Sequence, residues 1–396
     1  MYTVSKRARD IRYAIRDVVV FAKEIEKKGR EILYLNIGDP LKYDFDTPEH
    51  IKNALIKAVQ DGPNSYSASE GVLELREAIC RKEKKDSGID IYPENVMVTN
   101  GISEGLQMLL GALIEPGDEI LVPDPTYPPY TAYMKFFGGK PVTYKTVEEE
   151  GWQPDVDKIR ANITNKTKGI VIINPNNPTG AMYDKKVIRE IGDIAAEHEL
   201  LIISDEIYDK IVYEGSFTST SSIIKDVPIV GLNGFSKVYL MTGWRLGYAY
   251  FFDPKDELNE LQESMKKEAR IRLCANTPVQ NAAIAALEGP QDHIKETVGK
   301  LRLRRNYVLK RINEIEGISC TKPEGAFYCF PKVDAIGSKW KNDKEFVLDF
   351  LETENVLLVH GSGFGTTYGA GHFRLVFLPP IDVLKVAFDR LERFLS

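Results

Sequence analysis

Cysteine and histidine are scarce in this sequence, and long apolar runs are missing. Four cysteines, Cys80, Cys274, Cys320 and Cys329, are scattered through 396 residues without a C-x-x-C pair. That spacing excludes a disulfide framework and a cysteine metal site, and as small buried hydrophobes they fit a reducing cytoplasm. The five histidines, His50, His198, His293, His360 and His372, show no metal-ligand spacing. No stretch approaches the roughly 18 apolar residues of a membrane span. The opening, MYTVSKRARDIRYAIRDVV, is charged throughout and has no apolar export core. A basic excess is also lacking: 52 Lys and Arg stand against 58 Asp and Glu, a net charge of -6. Nucleic acid is therefore not an expected partner, since phosphate binding needs a basic face. Neither a Walker motif nor a G-x-G-x-x-G after a strand occurs, which argues against nucleotide folds.

What remains is an ordinary globular composition, 43% hydrophobic and 28% charged. A chain of 396 residues exceeds what one hydrophobic core usually supports, so two domains are expected. Apolar groups recur at helical spacing over 11–28, and Lys27-Lys28-Gly29 supplies the stop. A strand is expected over 32–37, running into the turn Gly38-Asp39-Pro40. Beyond residue 48 the pattern alternates. Short apolar runs at 96–99, 119–122, 170–173, 201–204, 229–232 and 247–252 are mostly separated by helical segments, such as 103–113 and 185–198. Continuous apolar strands between helices predict an α/β fold with a mostly parallel sheet sandwiched by helices. Sites in such sheets lie at the carboxyl ends of the strands. After Gly289-Pro290 come a charged helix over 292–314, short strands near 327–330, 356–359 and 373–377, and a last helix over 381–395. The expected division is an N-terminal arm with part of a small domain (1–47), a large domain (48–288) and a small α+β domain (289–396).

Several motifs follow strands directly. Ser236-Lys237 succeeds the 229–232 run, and Arg245 lies eight residues on. A lysine in such a loop is ordinarily a solvated surface group. Hydroxyl, backbone N–H and guanidinium together form an anion site, and a lysine beside fixed positive charge loses proton affinity and gains nucleophilicity. An amine beside a phosphate site suits a phosphorylated aldehyde. Asp205, in Ser204-Asp-Glu-Ile-Tyr208, fits a helix N-cap. It equally fits a buried carboxylate that keeps a pyridine ring protonated as an electron sink, with Tyr208 near a phenolate oxygen. Asn177 lies in Asn174-Pro-Asn-Asn-Pro-Thr-Gly180, where prolines and glycine force turns and hold the amide at a strand end. Thr99-Asn-Gly101-Ile102-Ser103 is a tight turn opening a helix, whose N–H groups bind phosphate unless Ser103 is a plain cap. Tyr127 follows Asp124-Pro-Thr, and either stacks on a planar ring or packs as a core tyrosine. Arg374 sits inside the apolar run Phe373–Phe377, where a charge needs a partner. A substrate carboxylate or an internal salt bridge would serve.

S-K-x-x-x-M-T-G-W-R-x-G, S-D-E-x-Y and N-P-N-N-P-T-G, in this order and spacing, resemble the fold-type I, class I/II aminotransferases that depend on pyridoxal phosphate (PLP). The resemblance spans essentially the whole chain. It implies that Lys237 carries the cofactor covalently and that Asp205 pairs with the pyridinium nitrogen. Tyr208 and Asn177 would contact the ring 3-oxygen, and Tyr127 would stack on the ring. Phosphate would be held by Gly101, Ile102, Ser103, Ser236 and Arg245. Tyr66, in Asn64-Ser-Tyr-Ser67, looks like the tyrosine that reaches the neighbouring subunit's phosphate, which implies a homodimer with shared active sites. Arg374 would bind the substrate α-carboxylate, beside Asn177 and the backbone of Gly38. YAIRDVV, LNIGDP, HGSGFG and GAGHFRLVFLPP resemble archaeal alanine aminotransferases. That likeness implies ping-pong amino transfer from alanine to 2-oxoglutarate. Aspartate, aromatic or pathway-specific amino transfer and a β-lyase on the same fold are the alternatives. A PLP-binding regulator of this fold would carry an added basic DNA-binding domain, for which residues 1–47 leave no room.

Overall fold

The computed structural model describes residues 2–9, 11 and 13–396. In chain order its strands are β1 (Leu33–Tyr34), β2 (Val96–Thr99), β3 (Glu119–Asp124), β4 (Lys140–Val147), β5 (Gln153–Pro154), β6 (Thr167–Ile173), β7 (Leu201–Asp205), β8 (Ile229–Gly234), β9 (Gly247–Phe252), β10 (Ile318–Ser319), β11 (Tyr328–Cys329), β12 (Lys332–Val333), β13 (Val356–Leu357), β14 (Val359–His360) and β15 (Phe373–Val376). Eight of them form one sheet in the order β2-β9-β8-β7-β6-β3-β4-β5. The centre is parallel, from β8 through β7, β6 and β3 to β4. β9 runs antiparallel between β8 and β2, and β5 runs antiparallel to β4. The fold is thus the expected α/β sandwich with antiparallel margins.

Alternation decides what each strand residue touches. Ile170, Ile172 and Ile202 pack under Ile188, Ile191 and Ile194 of the helix Lys185–Glu197. Val171, Ile173 and Ile203 point the other way, towards Leu106, Leu109 and Leu110 of the helix Ile102–Leu113. A strand covered on both sides has no polar face, and that is why these runs were visible in the sequence. β4 was not. Its lysines and threonines leave only two of eight residues buried, so no apolar run marks it.

The N-terminal segment joins the C-terminal elements. The helix Ala14–Glu26 buries Ala14, Val18 and Ala22 in one cluster with Leu351, Leu357 and Val359. It is shorter than the expected 11–28, because the chain leaves the helix into a turn at Gly29 (φ +80°); Arg12, inside the expected span, lies outside the described residues. The expected strand over 32–37 is only β1, paired in parallel with β13. After it the chain bends, and the Asp39 carboxylate accepts a bond from the Leu41 N–H at 3.2 Å. β11, β15 and β14 make a three-stranded antiparallel sheet. The helices Asp292–Glu314 and Ile381–Leu395 stand where the sequence put them.

Two glycines test the packing. Gly231 of β8 faces Tyr250 of β9 in register, and a Cβ there would lie 2.1 Å from ring carbons of Tyr250. Gly231→Ala is expected to lower stability by about 1–3 kcal/mol through overpacking. Gly299, inside the helix Asp292–Glu314, has nothing within 4 Å of its Cβ position. Gly299→Ala is expected to raise stability by roughly 0.5–1 kcal/mol. Urea unfolding followed by circular dichroism checks both signs.

Candidate active site

Loops from the carboxyl ends of β3, β6, β7 and β8 meet around one cavity of about 520 Å³, as the strand-end rule requires. Gly38, Ile102, Ser103, Tyr127, Asn177, Asp205, Tyr208, Ser236, Lys237, Arg245 and Arg374 all line it. Of the expected site residues only two do not. Gly101 forms the turn just behind Ile102, and Tyr66 is 79% exposed and stands apart from this chain's own cavity.

β8 ends at Gly234, and the next turn projects the Lys237 amine inward, where it donates to the Gly38 carbonyl at 2.6 Å. The amine is desolvated. Burial pushes its pKa down to about 8; Asp39 and Asp205 oppose the shift, while Arg374 and Arg245 add to it. Asp205 ends β7. Its carboxylate takes a bond from Tyr130 Oη at 2.8 Å and a weaker one from the Ile207 N–H at 3.3 Å. No helix starts there, so the capping alternative falls. Burial raises the Asp205 pKa to about 6 against those two donors and the Lys237 charge. Both hydrogen-bond donors are neutral, so a cationic partner would restore an ordinary carboxylate.

Arg374, on β15, is 1% exposed. It donates to Asn177 Oδ1 at 2.9 Å and to the Asn36 carbonyl. Its guanidinium lies over the rings of Tyr328 and Phe364, at 4.5 and 4.7 Å. Among the described residues no carboxylate pairs with it, and its buried Nε has no acceptor. The salt-bridge alternative therefore lacks its acid. A buried guanidinium with a free donor, on the cavity wall, has the chemistry to bind an incoming carboxylate.

A second anion site lies at the start of the helix Ile102–Leu113. Gly101 takes φ +81°, and a Cβ on it would come within 2.5 Å of Arg245 Nη2. Gly247 is confined as well: a Cβ on it would lie 2.9 Å from the backbone of Gly101 and Ile102. Arg245 donates to the Thr242 and Asn100 carbonyls at 3.1 and 3.3 Å. The guanidinium, the helix N-terminus and the Ser103 and Ser236 hydroxyls converge on a cradle that suits a phosphate dianion.

Sequence reasoning missed part of the wall. Tyr130, Tyr328, Tyr13 and Arg16 line the cavity. Tyr328 Oη lies 2.7 Å from Tyr208 Oη, and Tyr13 Oη 3.3 Å from Tyr127 Oη. Tyr130 was within reach, because it lies three residues beyond Tyr127 where a helix begins at Pro128. Tyr13, Arg16 and Tyr328 carry no local signal. No group of three or more ligating side chains suited to a metal occurs among the described residues, and no helix is long and apolar enough to cross a membrane.

An amine of lowered basicity, a buried acid, a cradle suited to phosphate and an arginine with an unpartnered donor share one cavity, and known proteins are similar to this chain in sequence and fold. Residues 30–391 match the model of the family described as aminotransferase class I and II. An alanine aminotransferase structure from Pyrococcus furiosus is 60% identical, with a TM-score of 0.97 over 99% of both chains. The glutamate-pyruvate aminotransferase AlaA of Escherichia coli (strain K12) is 41% identical over 99% of this chain and 97% of its own. An aspartate aminotransferase from Thermus thermophilus, solved with maleate, is 32% identical with a TM-score of 0.90, covering 99% of this chain and all of its own. The chain belongs to the class I and II aminotransferases and is a transaminase that depends on pyridoxal phosphate.

Proposed function

We propose that this transaminase moves the amino group of L-alanine to 2-oxoglutarate, as a homodimer in the cytoplasm. The observation that carries the reading is Arg374, buried with an unpartnered Nε on the wall that also receives the Lys237 amine. One clamp for an α-carboxylate beside one nucleophilic amine suits an amino acid and a 2-oxo acid taken in turn. Two relatives named for alanine or pyruvate support the choice of donor. Arg16 supports a dicarboxylic acceptor: it lies on the cavity wall, and its guanidinium has no partner among the described residues.

The residues fit the cofactor. Lys237 is assigned its covalent attachment, and Asp205, lacking a cationic partner in hydrogen-bond reach, its ring nitrogen. Tyr208 and Asn177 are assigned the ring 3-oxygen, and Tyr127 the ring face. Gly101, Ile102, Ser103, Ser236 and Arg245 are assigned the phosphate. Tyr66, exposed here, is assigned to the phosphate of a neighbouring subunit, which is the ground for a dimer. Residues 48–288 form the domain that carries the cradle and Lys237; residues 289–396 with the 1–47 arm form the one that carries the clamp. Four free cysteines agree with a reducing compartment.

When bound, the cofactor supplies an electron sink for the charge left behind by the departing α-proton. Everything else falls to the chain. Arg374, whose Nε has no partner among the described residues, holds the α-carboxylate and so fixes which bond of the α-carbon faces Lys237. Lys237, its amine made less basic by burial, accepts the proton from that carbon in its neutral form and returns it to a neighbouring one, which its flexible stem permits. Gly38, whose carbonyl holds the amine at 2.6 Å, keeps it aimed. The first 2-oxo acid leaves before the second enters, because both need the same clamp.

Addition of L-alanine to the purified yellow protein is expected to bleach its visible absorbance and release one pyruvate per site. A yellow protein that alanine does not bleach overturns the choice of donor. Lys237→Ala is expected to retain cofactor without a borohydride-reducible link and to show no turnover; wild-type turnover in this variant sinks the assignment of Lys237. Burial favours the neutral amine, so the reactive fraction of Lys237 rises as pH passes about 8. Competitive acetylation of the cofactor-free protein, read at the Lys237 peptide, is expected to titrate near that pH; a midpoint near the ordinary lysine value of about 10.4 contradicts it.

A further inference from the structure

Behind the cavity, a buried cluster joins the two loops that carry the proposed chemistry. Asp209 directly follows Tyr208 and is 7% exposed. Its Oδ2 accepts from Lys82 Nζ at 2.6 Å and from Asn233 Nδ2 at 2.9 Å. Asn233 belongs to β8, four residues before Lys237, and its own Oδ1 accepts from the Gly234 N–H at 2.7 Å. Lys82, on the helix Leu73–Ser87, also reaches Glu83 Oε1 at 3.0 Å. Tyr248 of β9 donates to that same oxygen at 2.6 Å and pairs with Asn233 across the sheet. None of these five side chains lines the cavity.

Such a cluster is a poor way to gain stability. A buried ion pair commonly contributes no more than well-packed apolar residues of the same volume, and its best-attested use is to specify one arrangement over others. Here the arrangement concerns two turns. From the front, the Tyr208 ring is held edge-on by Phe327 and Tyr328, with centroids at 5.3 and 5.8 Å. From behind, the tether is Asp209.

We propose that Asp209 is a positioning residue: with Lys82 and Asn233 it fixes the turn bearing Tyr208 against the end of β8, and so sets the Tyr208 hydroxyl relative to the Lys237 amine. The inference rests on the roles assigned above to Tyr208 and Lys237. A hydroxyl at the ring oxygen stabilises negative charge there, so its position tunes the proton affinity of the nitrogen that Lys237 contributes. A displaced hydroxyl therefore changes a titration as well as a rate, without touching the carboxylate clamp.

Asp209→Asn preserves volume and leaves Lys82 with Glu83 as a neutral pair, so it should fold. Holoenzyme of this variant is compared with wild type in thermal melting, cofactor content, kcat, KM and the pH midpoint of the visible absorbance. The expected result is full cofactor loading, kcat lowered about tenfold with KM within about threefold, and a midpoint moved by about half a pH unit or more. Asn233→Ser cuts the same tether from the β8 side and is expected to move rate and midpoint in the same direction; it decides the matter if Asp209→Asn melts below the assay temperature. A folded, loaded variant with an unmoved midpoint overturns the inference, whether or not kcat falls. Wild-type holoenzyme that transfers no amino group fails the functional reading instead, which separates the two.

Discussion

Everything in the site follows from burying a lysine amine without giving it a carboxylate. Among the described residues the one hydrogen-bond acceptor of Lys237 is a neutral carbonyl, that of Gly38, and its near charges include Arg374 and Arg245. Water would hold the ammonium form; the cavity removes water and offers no ion pair in exchange. The chain therefore needs a rigid scaffold to keep the amine inside. The sheet provides it: β8 is buried at all six positions and delivers Lys237 three residues past its last pair, Gly234 with Gly247.

The same constraint explains how the remaining charges are distributed. Asp205 is buried on the neighbouring strand end, yet it is bound to Tyr130 rather than to Lys237. Were it to pair with Lys237, the amine would regain its proton and the carboxylate would lose its use. The two arginines are separated as well. Arg245 is tied by carbonyls at the start of the helix Ile102–Leu113, and Arg374 by Asn177 and Asn36 on the opposite wall. A molecule with one strongly charged phosphate and a partner with one carboxylate can orient in such a cavity in only one way.

The legible part of this molecule was the part whose residues are constrained locally. Strands covered on both faces must be apolar throughout, so β2, β3 and β6 to β9 could be read as runs, whereas β4, half exposed, could not. Asp205, Asn177, Ser236 and Lys237 stand at strand ends within short motifs, and the turn chemistry around them is a local property. Arg374 was visible because a charge in an apolar strand demands a reason; that no acid pairs with it among the described residues speaks against an internal salt bridge. Tyr328 and Tyr13 reach the cavity through tertiary packing from β11 and from the N-terminal arm. Nothing within a few residues of either announces it. The same holds for Lys82 and Asp209, which look like an ordinary helix charge and an ordinary turn charge until the fold brings them within 2.6 Å.

The wall supplied by distant elements is also the wall that selects substrate. With the strand-end residues assigned to the cofactor as proposed, side-chain discrimination falls to what lines the rest of the cavity: Tyr13, Ile15 and Arg16 of the N-terminal segment and Tyr328 of β11. Ile15 and the tyrosine rings give the wall an apolar part, while Arg16, without a partner among the described residues, offers charge to a longer acidic side chain. On the proposed reaction, a pocket that accepts alanine and a dicarboxylate in alternation is complementary to neither alone. An exposed arginine without a partner among the described residues would resolve that conflict, because its charge can remain in water with one substrate and be drawn in by the other. A fixed, buried guanidinium at that end would have been left uncompensated whenever the methyl side chain was bound, at the cost that attends any unpaired buried charge.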